Sequence, residues 1–226
     1  MMKFYYLTIS HNIPCGVGFY NNYLLPEEYL SSFQLNDFKV EYGSLPWYAG
    51  ITRKRKKIIL SDNLILVSNL REYDYPVRSL SEYTYIITEE FMRCLDGMKT
   101  NILQIKPVKY MNGKTKNIIS NCVYYAMTTD KLKIEDVVNL KECEYEQVYG
   151  VDELLKMSIL DNCDYDLFDL KHETKCSLIV SEKFRQKAND LKLEYLEFLP
   201  VELTRLLTSK EWMATEINSL PRYTPV

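Results

Sequence analysis

Hydrophobic and polar positions follow the same succession of patterns twice along the chain. The first copy reads "YTYII" from Tyr83, then "TEEFMRCLDGMK", then "NILQIKPV". The second reads "CSLIV" from Cys176, then "SEKFRQKANDLK", then "EYLEFLPV". The outer segments are apolar or alternate with the period of a strand, whereas the middle segments space their apolar residues as a helix does. Each copy therefore predicts a strand, a helix of about three turns and a second strand.

The expected start of each helix carries a capping signal. Thr88 and Ser181 stand directly before the helical patterns, and Ser and Thr are favoured N-cap residues. Glu89 and Glu182 follow them, where a carboxylate interacts favourably with the positive end of the helix dipole. The sequence predicts that the two helices begin directly after Thr88 and Ser181.

The two copies align without a gap at one constant offset. Glu89 falls on Glu182, Phe91 on Phe184, and Pro107-Val108 on Pro200-Val201. Strand-helix-strand units are common, so a match by chance is the alternative explanation. Agreement at so many chemically different positions favours a duplicated architecture.

These patterns predict an α+β fold in a single compact domain spanning residues 1–226. Residues 1–80 are expected to form a β-rich N-terminal segment, and the strand-helix-strand units are expected over 83–110 and 176–203. Apolar residues after Pro200 predict a C-terminal helical segment. No linker rich in Pro, Gly or Ser separates the halves, which favours one domain over two.

Composition is that of an ordinary globular protein, with 46% hydrophobic and 26% charged residues. The six cysteines contain no C-x-x-C pair and are expected to be reduced thiols. The N-terminal "MMKFYYLTIS" indicates a first strand rather than a signal peptide. No segment approaches the roughly 20 apolar residues of a membrane span. The sequence predicts a soluble cytoplasmic protein.

Candidate catalytic chemistry is sparse. Each of the two histidines precedes a cysteine by four positions, His11 before Cys15 and His172 before Cys176, but neither segment has a helical pattern. Cys163 with His172 and Cys176 would supply at most three loosely spaced zinc ligands. We predict no catalytic residues, no metal and no cofactor. An enzyme with an unrecognised carboxylate or Cys-His site is the alternative.

A compact basic run, "RKRKK" from Arg53 to Lys57, raises the alternative of a nucleic-acid-binding module. The formal net charge of −3 argues against it, because phosphate binding favours a basic protein. A solvated loop or hairpin explains the run equally well.

Between Glu142 and Phe168 the chain combines many carboxylates with aromatic rings. A solvated surface is the simplest explanation, but acids with aromatic anchors also suit docking against a basic protein. The predicted partner-binding residues are Glu142, Glu144, Glu146, Tyr149, Asp152, Glu153, Asp161, Asp164, Tyr165, Asp166 and Phe168.

The order of several segments resembles a bacterial polymorphic-toxin immunity family, of the types numbered eleven and forty-three. The matching segments are "ITEEFMRCLDGMKTNILQIKPVK", "CVYYAMTTDKLKIEDVVNLKECEYE", "GVDELLKMSILDNCDYDLFDL" and "CSLIVSEKFRQKANDLKLEYLEFLPVE". The resemblance extends from about Tyr83 to Glu202. It departs from the family at "YYAMTT", which lacks the asparagine expected after that strand.

The resemblance implies an immunity protein of interbacterial competition. Such a protein binds the toxin domain encoded beside it and neutralises it by direct contact, without catalysis. The expected partner is therefore a cognate toxin domain, with no nucleic acid and no membrane involved, and the oligomeric state stays open.

Overall fold

The structure is a computed structural model of the 226-residue chain. It describes residues 2–9, 22–27, 59–68, 76–81, 84–113, 115–148, 150–171 and 178–204. Within these residues the protein is α+β, with twelve strands and three α-helices. Among the same residues, no helix is long and apolar enough to cross a membrane.

Contacts between Cα atoms divide the chain into two compact units. Unit 1 contains Met1–Ser10, Gly97–Asn101 and Lys131–Val226, and unit 2 contains His11–Asp96 and Ile102–Asp130. The chain passes from one unit to the other at four places. The single domain expected from the sequence remains a prediction.

Unit 1 contains a four-stranded antiparallel sheet made of β1 (Phe4–Ile9), β10 (Leu167–Phe168), β11 (Ile179–Ser181) and β12 (Leu196–Pro200). The strand order is β10-β11-β1-β12. Helix α3 (Glu182–Asp190) connects β11 to β12, which flank β1 and run parallel to each other. The unit also contains the short helix α2 (Ile134–Val137) and a separate hairpin of β8 (Glu144–Val148) and β9 (Val151–Lys156).

Unit 2 contains a six-stranded sheet in the order β2-β3-β6-β7-β5-β4. The strands are β2 (Asn22–Pro26), β3 (Leu64–Ser68), β4 (Val77–Ser81), β5 (Thr84–Thr88), β6 (Ile102–Asn112) and β7 (Ile118–Thr129). Helix α1 (Glu89–Cys94) follows β5 in the chain and precedes β6. Strand β7 lies between β5 and β6 and is antiparallel to both, so β5 and β6 are parallel.

The predicted helix starts are confirmed. Thr88 is the N-cap of α1 and accepts from the Phe91 N–H at 3.3 Å; Ser181 is the N-cap of α3 and accepts from the Phe184 N–H at 3.3 Å. Both phenylalanines are fully buried. The predicted length of about three turns is wrong for α1, which has six residues and ends at Cys94, shortly before Gly97 with its left-handed φ of 71°, whereas α3 has nine residues.

Proline has different places in the two copies. Pro200 ends β12, and a 3-10 turn follows over Val201–Leu203. Pro107 instead lies inside β6, directly before Val108, where pairing with β3 begins. The helical segment expected after Pro200 falls mainly on residues 205–226, which lie outside the described residues.

Substituting the two N-cap residues by alanine is expected to destabilise the units unequally. Each change removes a cap worth about 1 kcal/mol. Ser181→Ala should cost more than Thr88→Ala, because the Ser181 hydroxyl also donates to Asp166 Oδ1 at 2.9 Å in a buried site. Amide hydrogen exchange of α1 and α3 measures each loss separately. Ser181→Thr, which keeps a hydroxyl, is the control, and equal losses in the two helices would contradict the expectation.

Candidate protein-binding surface

The β8–β9 hairpin carries three of the predicted acidic residues that are exposed, Glu144, Glu146 and Asp152. Its register pairs Glu144 with Lys156, Tyr145 with Leu154 and Gln147 with Asp152. Gly150, in the loop between the strands, has a φ of 80°, which a glycine adopts without strain. Opposite residues of an antiparallel pair share a face, so the register determines which side chains are neighbours.

The base of the hairpin is anchored in unit 1. Leu154 and Met157 are buried in a core cluster that includes Phe168 and Ile179. The Met157 N–H donates to the Val201 carbonyl at 3.1 Å, just beyond the end of β9. Because β9 is fixed by side-chain burial and backbone hydrogen bonds, β8 is held as the outer strand of the pair.

We define the acidic hairpin surface as Glu142, Glu144, Glu146 and Asp152, all of which are exposed. Lys156 Nζ pairs with Glu144 Oε1 at 2.9 Å and Ser158 donates to Glu142 at 2.8 Å. Gln147 donates to Asp152. The hydrogen bond to Glu144 raises the pKa of Lys156. Among the described residues, no cation pairs with Glu146, so the surface keeps a net negative charge.

Two large apolar side chains lie in this part of the sequence and are unusually exposed. Tyr145 has 46% of its surface exposed and Leu140 has 42%. Partial burial and the neighbouring Cys143 raise the pKa of Tyr145, so its phenol is neutral at physiological pH. An uncharged ring beside carboxylates offers both apolar contact area and a hydroxyl that can form hydrogen bonds. Sequence reasoning missed Leu140, which no periodic pattern distinguishes from a core residue.

Of the predicted contact residues that the structure describes, Phe168 and Asp166 are the two that are buried. Phe168 is fully buried and meets Phe4 edge to face, with ring centroids 5.9 Å apart. Tyr165 is half-buried, with its ring centroid 6.1 Å from that of Phe168. Phe168 is therefore a core residue and not a docking anchor. From Asp166 to Leu170 the segment "DLFDL" is buried throughout, acids included, so its mixture of acids and apolar residues does not mark an exposed surface.

Asp166, the other interior member, organises the fold around it. Its carboxylate accepts from the Lys99 N–H at 3.0 Å, from the Ser181 hydroxyl at 2.9 Å and from Lys183 Nζ at 3.0 Å. Burial raises the pKa of Asp166. The hydrogen bonds from Lys183, Lys99 and Ser181 lower it by more, so the pKa lies below its usual value. Asp166 thus holds the start of α3 to the Gly97–Asn101 segment.

The remaining predicted residues are scattered. Asp161 is exposed, and exposed Asp164 pairs with Lys99, whose pKa this hydrogen bond raises. Glu153 lies opposite Glu146 in the hairpin register, with its side chain outside the described part of the structure. Tyr149 also lies outside the described residues. The structure therefore brings together the hairpin members of the predicted set and, separately, the rings of Tyr165 and Phe168.

Unit 1 contains a buried ion pair that no sequence pattern predicted. Lys131 Nζ and Asp169 Oδ1 are 3.6 Å apart with almost no side-chain exposure, and the Asn101 side chain donates to the Asp169 carbonyl at 3.2 Å. Lys131 belongs to the run "TDKLKIED", which looks like solvated surface. A buried lysine is found only from the tertiary structure.

The described residues add no geometric support for the alternative Cys-His, zinc or nucleic-acid sites. Cys163 is buried, and burial raises the pKa of its thiol, which disfavours the nucleophilic thiolate. Among the described residues, no group of three or more His, Cys, Asp or Glu side chains could hold a metal ion. Outside the described residues lie His11, Cys15, His172, Cys176 and the basic run Arg53–Lys57.

Comparison with known proteins does not identify a family. No protein-family model matches the chain, and no curated protein matches it.

Proposed function

We propose that the protein is a cytoplasmic immunity protein, which neutralises a cognate bacterial toxin domain by binding it, without catalysis. The observation that supports this proposal is the anchored hairpin, which exposes carboxylates and the Tyr145 ring. Aromatic anchors surrounded by charged residues are typical of protein interfaces. The resemblance of the order of sequence segments to immunity families supports the same proposal.

In this proposal the partner presents a basic surface to the hairpin. Carboxylates accelerate encounter with a basic partner through long-range attraction, and apolar contacts then determine how long the complex lasts. Glu146 and Asp152 supply charge, whereas Tyr145 and Leu140 supply area that can be buried. Fixing β9 to the core reduces the conformational entropy lost on binding.

The proposed scaffold is a duplicated one. The β5–α1–β6 and β11–α3–β12 segments share an N-cap, a buried phenylalanine one turn later and an antiparallel strand between their two strands. In the proposal these are two copies of one ancestral unit, and the acidic hairpin is an addition to unit 1.

Reversing the charge of the hairpin is expected to slow association with the toxin domain. The variant Glu144→Lys/Glu146→Lys/Asp152→Lys should reduce the association rate constant at low salt by about tenfold or more, because electrostatic steering is lost and becomes repulsion. The dissociation rate should change less. Surface plasmon resonance at low and physiological ionic strength measures both constants.

A matched control reverses three exposed carboxylates elsewhere. Glu90→Lys/Asp190→Lys/Glu194→Lys makes the same change in net charge at positions outside the hairpin. The proposal expects the control to retain most of the association rate. Equal slowing in the two variants would show that net charge, and not the hairpin, attracts the partner.

A growth assay tests the function itself. The C-terminal domain of the protein encoded immediately upstream is expressed with and without this chain. Rescue of growth with a co-purifying complex is the expected result. Rescue without a complex would instead indicate an enzyme that reverses the damage, and toxicity without rescue would reject the immunity function.

A further inference from the structure

The outer edge of β8 has the features of a strand-docking site. No described strand other than β9 pairs with β8, whereas β9 is fixed to the core at Leu154 and Met157. A two-stranded sheet is marginally stable by itself, and a third strand stabilises it. The unpaired N–H and C=O groups of an edge strand are a template for an added strand.

The register identifies which groups face this edge. Val148 and Val151 flank a two-residue loop and are paired, which makes them the closing hydrogen-bonded pair of the hairpin. Hydrogen-bonded and non-hydrogen-bonded pairs alternate along an antiparallel ladder. Gln147, opposite Asp152, therefore belongs to a non-hydrogen-bonded pair, and its N–H and C=O point away from β9.

The charges around the edge of β8 determine which kind of strand could pair with it. Glu144, Glu146 and Asp152 are exposed on the hairpin, and Tyr145 adds an exposed ring on β8 itself. A second copy of β8 would bring these carboxylates against their own like charges, which destabilises a strand pair. A strand that alternates lysine or arginine with apolar residues would meet carboxylates with cations and the ring with an apolar side chain.

From these features we infer that β8 binds an extended basic segment of its protein partner by strand addition. This inference rests on the proposed function and names its binding mode. Backbone hydrogen bonds along Tyr145–Gln147 would supply affinity that does not depend on the partner's side chains, and the carboxylates would supply the preference for a basic strand. Pairing would convert the hairpin into a three-stranded sheet.

A designed peptide tests the binding mode directly. The probe is a capped seven-residue peptide that alternates four lysines with three valines, titrated calorimetrically into the full-length protein at low salt. Gln147→Ala removes the side chain and keeps the outward N–H, whereas Gln147→Pro removes both. Gln147→Ala should bind within about twofold of the unsubstituted protein, and Gln147→Pro should bind about tenfold more weakly.

A second measurement avoids any dependence on how the proline variant folds. The same peptide methylated at every backbone nitrogen keeps its charge and loses its donors, and it should lose most of its affinity for the unsubstituted protein. Equal binding of the two peptides, equal binding by the two Gln147 variants, or no binding of the parent peptide would each overturn strand addition. If growth is rescued in those cases, strand addition is rejected and the immunity function is retained. If the peptide binds but growth is not rescued, strand addition is retained and the immunity function is rejected.

Discussion

The substitution Phe168→Ala is expected to destabilise unit 1 by about 3 to 5 kcal/mol, the range measured for removing a buried phenylalanine. Phe168 is fully buried, meets Phe4 edge to face and belongs to the same core cluster as Ile179. The cavity left by the ring cannot be filled without moving β1 or β11. Because a whole domain is commonly stable by only about 5 to 15 kcal/mol, the variant should lose a large fraction of its stability.

Urea unfolding measures this loss, and Tyr145→Ala is the matched control. Tyr145 is 46% exposed, so its truncation should cost less than about 1 kcal/mol. The pair separates the two roles that the sequence could not distinguish. If Phe168→Ala kept its stability and lost the partner instead, Phe168 would be a docking anchor after all.

The second large effect is expected at Asp166. Replacing it with alanine leaves the Ser181 hydroxyl, the Lys99 N–H and Lys183 without their shared acceptor. We expect a loss of about 2 to 4 kcal/mol in the free energy of unfolding, because several buried or charged donors lose their partner at once. Lys183→Met is the control and should cost less than about 1 kcal/mol, since Lys183 is largely exposed.

The Asp166 contribution also depends on pH. Its pKa in the folded protein lies below the value in the unfolded chain, which is about 3.9. Its stabilising effect is therefore fully present above the unfolded pKa and is lost as the pH falls through the folded pKa. The stability difference between the unsubstituted protein and Asp166→Asn should shrink between pH 5 and pH 2. Urea titrations across that range measure it, and a constant difference would show that Asp166 acts without its charge.

The parts of the fold that depend on local sequence were predictable. Thr88 and Ser181 cap their helices as expected, because capping depends on a side chain and the backbone three residues away. The strand before each helix was also visible from its apolar run. The pairing of strands was not predictable from the sequence. Nothing in "FYYLTI" indicates that β1 lies between β11 and β12, since those partners come from the other end of the chain.

Residues of the candidate surface were also predictable only where their exposure does not depend on distant contacts. Glu144 and Glu146 are exposed, as their charge indicated, although the strand that carries them was not predicted. Asp166 and Phe168 have the same composition signal, yet both are buried by contacts with distant parts of unit 1. Sequence reports the type of a side chain and its local period, whereas burial of a carboxylate depends on donors such as Lys183 and the Lys99 N–H, which only the folded chain supplies.

The position of β1 has a consequence for biosynthesis. Its neighbours in the sheet are separated from it by most of the chain: Tyr5 and Glu182, which share a hydrogen bond, are 177 positions apart. A ribosome therefore synthesises the strands of unit 2 long before β1 can meet either partner, and we expect unit 2 to fold first, because domains generally fold in the order of their synthesis. Unit 1, with its hairpin, can form only on a chain that has been translated past β12. A messenger RNA cut short before that point would yield a chain without β12, in which the four-stranded sheet of unit 1 is incomplete.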